Sequence, residues 1–453
     1  MRILLIGGGT REHAVADALA RSSHSPEIIA VSKKKNPGIA RLASEYHLCD
    51  SSNHRAVMDI ALSAKPDFCF IGPDDPIGAG LANVLSEANI RSVAPFRSAA
   101  QIESSKSFAR NLMQTYNIDV SPKFRVFSSR NTSSAERKTL ISEYIEDELH
   151  SEYVVKFDAL HGGKGVKVSG VHLDSSREGV AYALECIDEC GAVVIEEKLV
   201  GVEFSYFSFV SSSHIVHMPA VQDHKLAFEG DTGPNTGGMG TYSCADHSLP
   251  FLEPSDIASA ADINARVIEA LKAECGEPYI GILYGGYIAV RDGIRVIEFN
   301  ARFGDPEALN LLSILSSDFV DICLSILDDT LNESLVTFER TSTVCKYLVP
   351  QSYPTAASEV DMSISVPLQI PDNVKMYTGD VSEGGSPTSL KLGTSRSIAM
   401  VGIADTVAKA EKAAESACSL VSGPVRWRSD IGTDSLINER IATLAALRGN
   451  KKR

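Results

Sequence analysis

The chain has 453 residues, 43 lysines and arginines against 58 aspartates and glutamates, and a formal net charge of −15. This acidic balance argues against non-specific nucleic-acid binding, because a phosphate backbone attracts surplus basic side chains. No apolar run approaches the ~20 residues that span a bilayer, and the nine cysteines show no metal-ligand spacing. We therefore expect a cytoplasmic globular protein with free thiols, no membrane or nucleic-acid partner, and two to four domains.

The first hundred residues alternate strands and helices. Strands are predicted at Ile3–Ile6, Glu27–Val31, Phe68–Ile71 and Ser92–Ala94, and helices at Glu12–Arg21, His54–Ala64 and Gly78–Ala88. This order predicts a doubly wound parallel sheet. Ligands bind such sheets at the carboxyl ends of the strands, where the loops at 7–13 and 72–76 would lie.

The pattern changes after residue 104. A helix at Ser104–Tyr116 and a polar loop at Ser128–Glu136 precede the predicted strands Tyr153–Lys156, Val166–Ser169 and Ala192–Glu197, with a helix at Ser175–Glu189 between the last two. Residues 118–198 are thus expected to form a compact α+β unit, small enough to act as a lid. Long strands are then predicted at Gly201–Val210, Ile280–Val290 and Ile294–Phe299, the last two joined by an Asp-Gly hairpin turn.

From about residue 334, short strands alternate with loops rich in Pro, Gly and Ser. They are predicted at Val344–Val349, Lys375–Val381 and Ser397–Gly402, followed by a helix at Thr406–Val421. We therefore predict a multidomain α/β and α+β protein with domains at 1–103, 104–333 and 334–453, the last a small α+β domain.

The two N-terminal loops are candidate binding segments. Glu12 occupies the position where the dinucleotide fingerprint requires its last glycine, which disfavours nicotinamide binding. The loop at 7–13 still offers free backbone N–H groups at a helix N-terminus, suited to a small phosphate. A plain tight turn there, and a capped turn at 72–76, are the alternatives.

Lys156 ends a predicted strand and precedes the glycine-rich segment 158–165. This segment is not a Walker loop, because Lys164 is followed by Gly165 rather than by Ser or Thr and the next element is a strand. A flexible hairpin would let backbone amides close over nucleotide phosphates, with Lys156 as a point charge. A mobile surface hairpin with a solvated lysine fits the pattern equally well.

Strand alternation places Glu298 and Asn300 on one face of the last long strand. A carboxylate and an amide oxygen are hard ligands suited to Mg²⁺, and Arg302 would continue the same face and grip an anion. The alternative is a half-buried strand with a polar outer face. The glycine-rich loop at 231–240 suggests close approach to a ligand, with Asp231 and Asn235 as polar contacts; disorder is its alternative.

Together these residues resemble the phosphoribosylamine–glycine ligase family (glycinamide ribonucleotide synthetases) of the ATP-grasp superfamily. The likeness spans nearly the whole chain: GGGTREHA at 7–14, GPDDP at 72–76, SKSF at 105–108, VVKFDALHGGKGV at 154–166, DTGPNTGGMG at 231–240 and EFNARFGDPE at 298–307. The last two blocks are highly specific to this ligase, whereas the others recur more widely. The resemblance implies a central ATP-grasp domain with a mobile lid.

The resemblance also implies roles for individual residues. Lys106 and Lys156 would contact ATP phosphates, and Glu298 with Asn300 would hold Mg²⁺ or Mn²⁺. The remaining ATP-binding residues would be Gly162, Gly163, Lys164 and Gly165 in the hairpin, Glu196, Glu197, Lys198 and Leu199 beside adenine, and Glu203 near the ribose. Substrates would contact Gly9, Arg11, Glu12, Gly72, Pro73, Asp74, Asp231, Asn235, Gly237, Gly238, Arg302 and Asp305. Lys156 and Arg302 would be catalytic.

The implied reaction joins glycine to 5-phosphoribosylamine with ATP, through glycyl phosphate, in de novo purine biosynthesis by a monomer. Thr10 departs from the usual glycine of the family, and His161 and Gly162 replace small residues of the hairpin. The competing hypotheses are another ATP-grasp carboxylate–amine ligase, a biotin-dependent carboxylase component, and a non-catalytic nucleotide-binding regulator with the same fold.

Overall fold

The computed structural model describes residues 1–130, 133–160, 165–212, 214–355 and 362–449. None of the helices in these ranges combines the length and apolar character needed to cross a membrane. All nine cysteines are free thiols, as expected.

The N-terminal region is a five-stranded parallel sheet in the order β3-β2-β1-β4-β5, which confirms the predicted parallel arrangement. The expected helix at Gly78–Ala88 is instead two helices, because Gly80 between them takes a positive φ of 87°. The strands are β1 (Arg2–Ile6), β2 (Glu27–Ser32), β3 (Glu45–Leu48), β4 (Phe68–Ile71) and β5 (Ser92–Val93), and the helices are α1 (Thr10–Ala20), α2 (Pro37–Leu42), α3 (His54–Ala64), α4 (Asp74–Gly78), α5 (Leu81–Glu87) and α6 (Arg97–Ser104).

The region expected to form a lid has an antiparallel sheet in the order β6-β9-β7-β8 and a separate apolar core around Ile141, Val155 and Ile195. The polar stretch expected as a loop contains the start of a helix, since the Ser133 side chain caps it by accepting from the Glu136 N–H. Helix α7 (Lys106–Thr115) precedes this region, whose elements are β6 (Phe124–Ser128), α8 (Ser134–Glu143), a π-helical turn (Tyr144–Glu148), β7 (Tyr153–Phe157), β8 (Val166–Val168), α9 (Ser176–Cys190) and β9 (Ala192–Glu197).

The central region is built on an antiparallel sheet in the order β11-β10-β16-β17. Ile297 forms a bulge in β17, because Gly286 pairs with Glu298 and the next residue of β16 pairs with Val296. The elements are β10 (Val202–Ser211), β11 (His214–His217), β12 (Gln222–Asp223), β13 (Leu226–Phe228), β14 (Thr232–Asn235), β15 (Gly240–Ser243), α10 (Pro254–Cys275), β16 (Gly281–Val290), β17 (Gly293–Asn300), α11 (Glu307–Ser313), α12 (Phe319–Leu327) and a 3-10 turn (Glu333–Leu335).

A further sheet, in the order β12-β15-β18-β23-β20, joins strands from both sides of residue 334. Its central strand β18 is buried along its whole length. The domain limits given by the sequence stay a prediction. The remaining elements are β18 (Ser342–Pro350), β19 (Ser363–Ser365), β20 (Val374–Thr378), β21 (Val381–Glu383), β22 (Ser389–Leu392), β23 (Ile398–Ala404), α13 (Val407–Cys418), β24 (Val425–Arg426) and α14 (Asp434–Arg448).

Candidate active site

A cleft of about 630 Å³ lies where the N-terminal loops, the lid, the central sheet and the C-terminal region meet. It brings together candidate residues that are up to about 290 positions apart in the chain. The predicted site residues that line it are Arg11, Asp74, Lys156, Glu203, Asp231, Asn235, Gly237, Glu298, Asn300, Arg302 and Asp305.

Lys156 is buried and held by two acceptors. Its Nζ donates to Glu196 Oε2 at 2.6 Å and to the Ile297 carbonyl at 2.9 Å. Arg110 on α7 binds the same carboxylate through both oxygens, at 2.5 and 3.1 Å, and donates to the Ile297 carbonyl at 2.8 Å. The bulge thus gives both cations a shared carbonyl. The Glu196 carboxylate is shared by both cations and holds the Lys156 ammonium in place.

Glu298 lies among three lysines. Lys106 Nζ is 3.3 Å from Glu298 Oε2. Burial alone would raise the pKa of this carboxyl, but the positive charges of Lys106, Lys225 and Lys156 outweigh burial and hold the pKa well below its usual range. Glu298 is therefore ionised at neutral pH, as a metal ligand must be.

Arg302 pairs with a carboxylate behind the cleft. Its Nη2 lies 2.7 Å from Glu103 Oε1, and its Nη1 donates to the Phe303 carbonyl at 3.1 Å. Asp74 lines the same cleft. Burial alone would raise the pKa of its carboxyl, but the positive charges of Arg302 and Arg11 have the larger effect, so the pKa lies below its usual value. Both guanidinium groups therefore carry charge toward the same part of the cleft.

The loop at 7–13 is organised by Glu12. Its carboxylate accepts from the Gly9 N–H at 2.7 Å and from Arg11 Nε at 2.6 Å. A Cβ at Gly72 would lie only 2.3 Å from Glu12 Oε1, so the segment at 72–73 needs its glycine to approach this side chain. Glu12 thus ties the two N-terminal loops together and orients the Arg11 guanidinium.

His13, the next residue of α1, is a buried neutral base whose Nδ1 accepts from the Thr378 N–H at 2.8 Å. Burial lowers its pKa from 6.5 to about 4. Between these two pH values the unfolded chain binds one more proton at His13, so the free energy of unfolding is expected to fall as the pH is lowered, by at most about 3 kcal/mol.

Urea unfolding at pH 7 and pH 4.5 measures this dependence. In a His13→Gln variant, whose amide oxygen can still accept from Thr378, the drop in the free energy of unfolding should be smaller than in the wild type. An equal drop in both proteins would show that the titration of His13 contributes nothing.

The loop at 231–240 is anchored by arginines of the C-terminal region. Asp231 Oδ1 accepts from Arg428 at 2.6 Å, and its other oxygen binds Arg440. Arg396 donates to the carbonyls of Gly237 and Gly238 at 2.6 and 3.2 Å. Asn235 pairs with Leu226 in the short hairpin of β13 and β14.

Asp305 joins three segments of the chain. It accepts from Thr10 Oγ1 at 3.1 Å and from the Tyr347 hydroxyl, and it lies 3.3 Å from Arg396 Nη1. Burial opposes ionisation of this carboxyl, but Arg396 and Arg11 lower its pKa below the usual value. The threonine that departs from the family pattern is thus part of this network.

The segment expected to border adenine comprises the last two residues of β9 and the two that follow. The Glu197 carboxylate accepts from the Lys123 N–H at 2.7 Å, and Lys198 Nζ lies 2.9 Å from Glu152 Oε2. Leu199 is half-buried, and Glu203 Oε2 is 3.6 Å from Lys225 Nζ. Of the predicted hairpin residues, Gly162, Gly163 and Lys164 lie outside the described residues, while the Gly165 carbonyl accepts from the Phe157 N–H.

His224 lines the cleft as a buried histidine. It is 3% exposed, its Nδ1 lies 3.3 Å from the Gly240 carbonyl, and burial lowers its pKa to about 3. Burial and the neighbouring Glu307 raise the pKa of the Asp223 carboxyl. Its contact with His224 is through the backbone N–H, at 2.8 Å, so the two side chains do not form a catalytic pair.

Several charged residues of the cleft and its walls were not predicted from the sequence. Arg110 lies four positions after Lys106 on α7, a spacing that puts both side chains on one helix face, so a signal was present. Lys225, Arg396 and Arg440 line the cleft; the two arginines reach it only through long-range packing, which no local pattern reveals.

The chain is similar to known proteins along nearly its whole length. Residues 1–103 match the family model described as phosphoribosylglycinamide synthetase, N domain, and residues 104–308 match its ATP-grasp (A) domain. Proteins named phosphoribosylamine–glycine ligase from Methanocorpusculum labreanum and Methanosarcina barkeri are 45% and 42% identical over 449 residues, covering 99% of this chain and all of theirs.

Solved structures show the same fold. The crystal structure of phosphoribosylamine–glycine ligase from Thermotoga maritima superposes with a TM-score of 0.78 at 26% identity, over 95% of this chain and 100% of that one. The biotin carboxylase domain of Hydrogenobacter thermophilus 2-oxoglutarate carboxylase is similar in fold, with a TM-score of 0.71 at 14% identity over 98% and 93% of the two chains. The full-length identity and the two matched models together show that this chain belongs to the phosphoribosylglycinamide synthetase family.

Proposed function

We propose that this protein is a phosphoribosylamine–glycine ligase, which joins glycine to 5-phosphoribosylamine and yields glycinamide ribonucleotide, ADP and phosphate in de novo purine biosynthesis. The observation that carries this proposal is the convergence of Lys156, Glu298, Asn300 and Arg302 in one cleft of a chain that is 45% identical to a curated ligase over its full length. We expect the protein to act as a monomer, as inferred from the family resemblance.

ATP-grasp enzymes use ATP and a divalent metal ion. Lys106 and Lys156 would contact the phosphates, and the hairpin at 162–165 would close over them. Glu196 to Leu199 and Glu203 would border adenine and ribose. A metal ion suits Glu298 and Asn300, since the lysines keep the carboxylate ionised and oxygen donors are what Mg²⁺ or Mn²⁺ prefers. Bound there, the ion would neutralise charge on the transferring phosphoryl group.

The chemistry is phosphoryl transfer followed by acyl transfer. The glycine carboxylate attacks the γ-phosphorus of ATP, the bond from that phosphorus to the bridging oxygen breaks, and ADP leaves. The amine of phosphoribosylamine then attacks the carbonyl of glycyl phosphate, which expels phosphate and releases a proton. Phosphoryl transfer depends mainly on positioning and charge stabilisation, which Lys156 and Arg302 would supply, and a closed hairpin would exclude water from the acyl phosphate.

The two substrates would occupy different walls of the cleft. The N-terminal loops, with Gly9, Arg11, Glu12, Gly72, Pro73 and Asp74, would hold phosphoribosylamine, because Arg11 brings positive charge to a helix N-terminus. The loop with Asp231, Asn235, Gly237 and Gly238 would line the acceptor side together with Arg302 and Asp305. Within the described ranges, Arg302 Nε has no hydrogen-bond acceptor, which leaves one donor for an anionic group.

Substrate-dependent ADP release tests the proposal. The purified protein with MgATP and freshly prepared phosphoribosylamine should release ADP with glycine, and at most a few per cent as fast with alanine or serine. Bicarbonate with biotin is the control for the carboxylase alternative, and nucleotide binding without any turnover would indicate a regulator. Either of those outcomes, or equal rates with all amino acids, would overturn the proposed function.

A further inference from the structure

Glu103, near the end of α6, contacts three successive residues of the chain behind the cleft. Its carboxylate is buried, at 4% exposure, and does not line the cleft. It accepts from the Ala301 N–H at 2.8 Å, and its other oxygen lies 2.7 Å from Arg302 Nη2. The side-chain amide of Asn300 also meets this carboxylate: with its nitrogen on this side, that nitrogen lies 3.0 Å from Glu103 Oε1.

This contact fixes which end of the Asn300 amide faces the cleft. The amide nitrogen has two acceptors, Glu103 Oε1 and the Phe299 carbonyl at 3.2 Å. The reverse orientation would place the amide oxygen against the same two acceptors, and an amide oxygen has no proton to donate. Asn300 Oδ1 therefore points away from Glu103, toward the cleft that Asn300 lines.

The same short segment also contacts the second proposed metal ligand. Lys106 Nζ lies 3.3 Å from Glu298 Oε2 and 3.5 Å from the Glu103 backbone carbonyl. The junction of α6 and α7 thus supports both oxygen ligands, one through a carboxylate and the other through an ammonium group.

We propose that Glu103 is a positioning residue of the metal site: it holds Asn300 Oδ1 in the ligand orientation and so sets the affinity for the divalent ion without touching it. The inference rests on the proposed function only for the assignment of Glu298 and Asn300 as ligands. Replacing a residue that orients a metal ligand typically changes metal affinity 10–100-fold.

The first test measures Mn²⁺ binding by electron paramagnetic resonance in the presence of a saturating, non-hydrolysable ATP analogue. Glu103→Gln should weaken Mn²⁺ binding 10–100-fold, because the new amide offers one acceptor oxygen in place of two and can present a donor to the Asn300 nitrogen. The affinity for the analogue in EDTA should not change. An unchanged Mn²⁺ affinity overturns the proposal.

Asp256→Asn is the matched control. Like Glu103, Asp256 is buried and accepts from a backbone N–H, that of Glu253, and from an arginine, Arg448, but it lies outside the cleft. This variant should keep the wild-type Mn²⁺ affinity. An equal loss in both variants would mean that any broken buried ion pair has this effect, which overturns the specific role of Glu103.

A reciprocal exchange decides the case even if Glu103→Gln folds poorly. Asn300→Asp alone brings two carboxylates together and should bind Mn²⁺ weakly, although it adds a negative charge to the site. Combining it with Glu103→Gln restores a donor–acceptor pair with the two ends exchanged, and should bind Mn²⁺ at least about tenfold more tightly than Asn300→Asp alone. A double variant that binds no more tightly than this single variant overturns the proposal.

These measurements require neither glycine nor phosphoribosylamine. A wild-type protein that binds Mn²⁺ with the nucleotide but shows no glycine-dependent ADP release would refute the proposed function and leave this inference standing. If the wild type is active but its Glu103→Gln variant keeps full Mn²⁺ affinity, this inference is refuted and the proposed function stands.

Discussion

Replacing Glu298 with glutamine is expected to slow glycine-dependent ADP release by roughly a thousandfold. The carboxylate is the only negatively charged member of the proposed ligand pair, and its three lysine neighbours keep it ionised. Its loss should remove the ion from the transferring phosphoryl group, and an ion so placed typically contributes several kcal/mol, here taken as about 4 kcal/mol. A coupled assay of ADP at saturating MgATP and glycine measures the effect.

The same substitution should not weaken the binding of nucleotide in the absence of a metal ion. With Glu298 neutral, Lys106 loses its carboxylate partner and the cleft becomes more positive by one charge, so the affinity for ATP in EDTA should stay equal or increase. Glu411→Gln is the control, because Glu411 also pairs with a lysine, Lys346, at 2.6 Å, but lies away from the cleft. Wild-type turnover in Glu298→Gln would refute the metal assignment.

Glu196→Gln is expected to lower the free energy of unfolding by about 3–5 kcal/mol, because it leaves two buried cations without their shared carboxylate. Arg110, Lys156 and Glu196 are each no more than 5% exposed, so water cannot replace the lost charge. Nucleotide affinity should fall as well, since Lys156 loses the acceptor that orients it. Urea unfolding, with hydrogen exchange of β7 and β9 to locate the change, measures both effects.

The adjacent residue provides the control for this prediction. Glu197 is half-buried, and its carboxylate accepts from the Lys123 N–H. Glu197→Gln retains an oxygen that can accept this hydrogen bond and should therefore cost about 1 kcal/mol or less. Similar losses in both variants would contradict the role of the buried cluster around Glu196.

Local patterns predicted elements well where periodicity and flanking turns agree. The strand at Phe68–Ile71 and the helix at His54–Ala64 have the predicted bounds, because an apolar run or an amphipathic face ends there at a turn. The 22-residue helix α10 (Pro254–Cys275) was not predicted, although Pro254 at its start and Gly276 after its end are typical of helix limits. The sequence therefore contains the signals that predict this helix.

The site was only partly predictable for a different reason. Lys156, Glu298 and Asn300 stand at recognisable strand ends, so their convergence follows from the fold. The contacts that hold these side chains in place could not be predicted from the sequence. Glu103 meets Asn300 about 200 positions away, and Arg396 meets Gly237 through the packing of the C-terminal region. Such pairings depend on tertiary structure, whereas sequence periodicity reports on neighbours along one element.

The contacts between the loop at 231–240 and arginines far along the chain have a consequence for biosynthesis of the protein. The loop at 231–240 is bound by Arg396, Arg428 and Arg440, and these contacts cannot form while the arginines are still inside the ribosome. At about 5–20 residues per second, translation of the roughly two hundred residues from this loop to Arg440 requires about 10–40 seconds. Because Arg396 and Arg440 also line the cleft, the cleft is completed only after Arg440 has emerged, well after the loop itself has been synthesised.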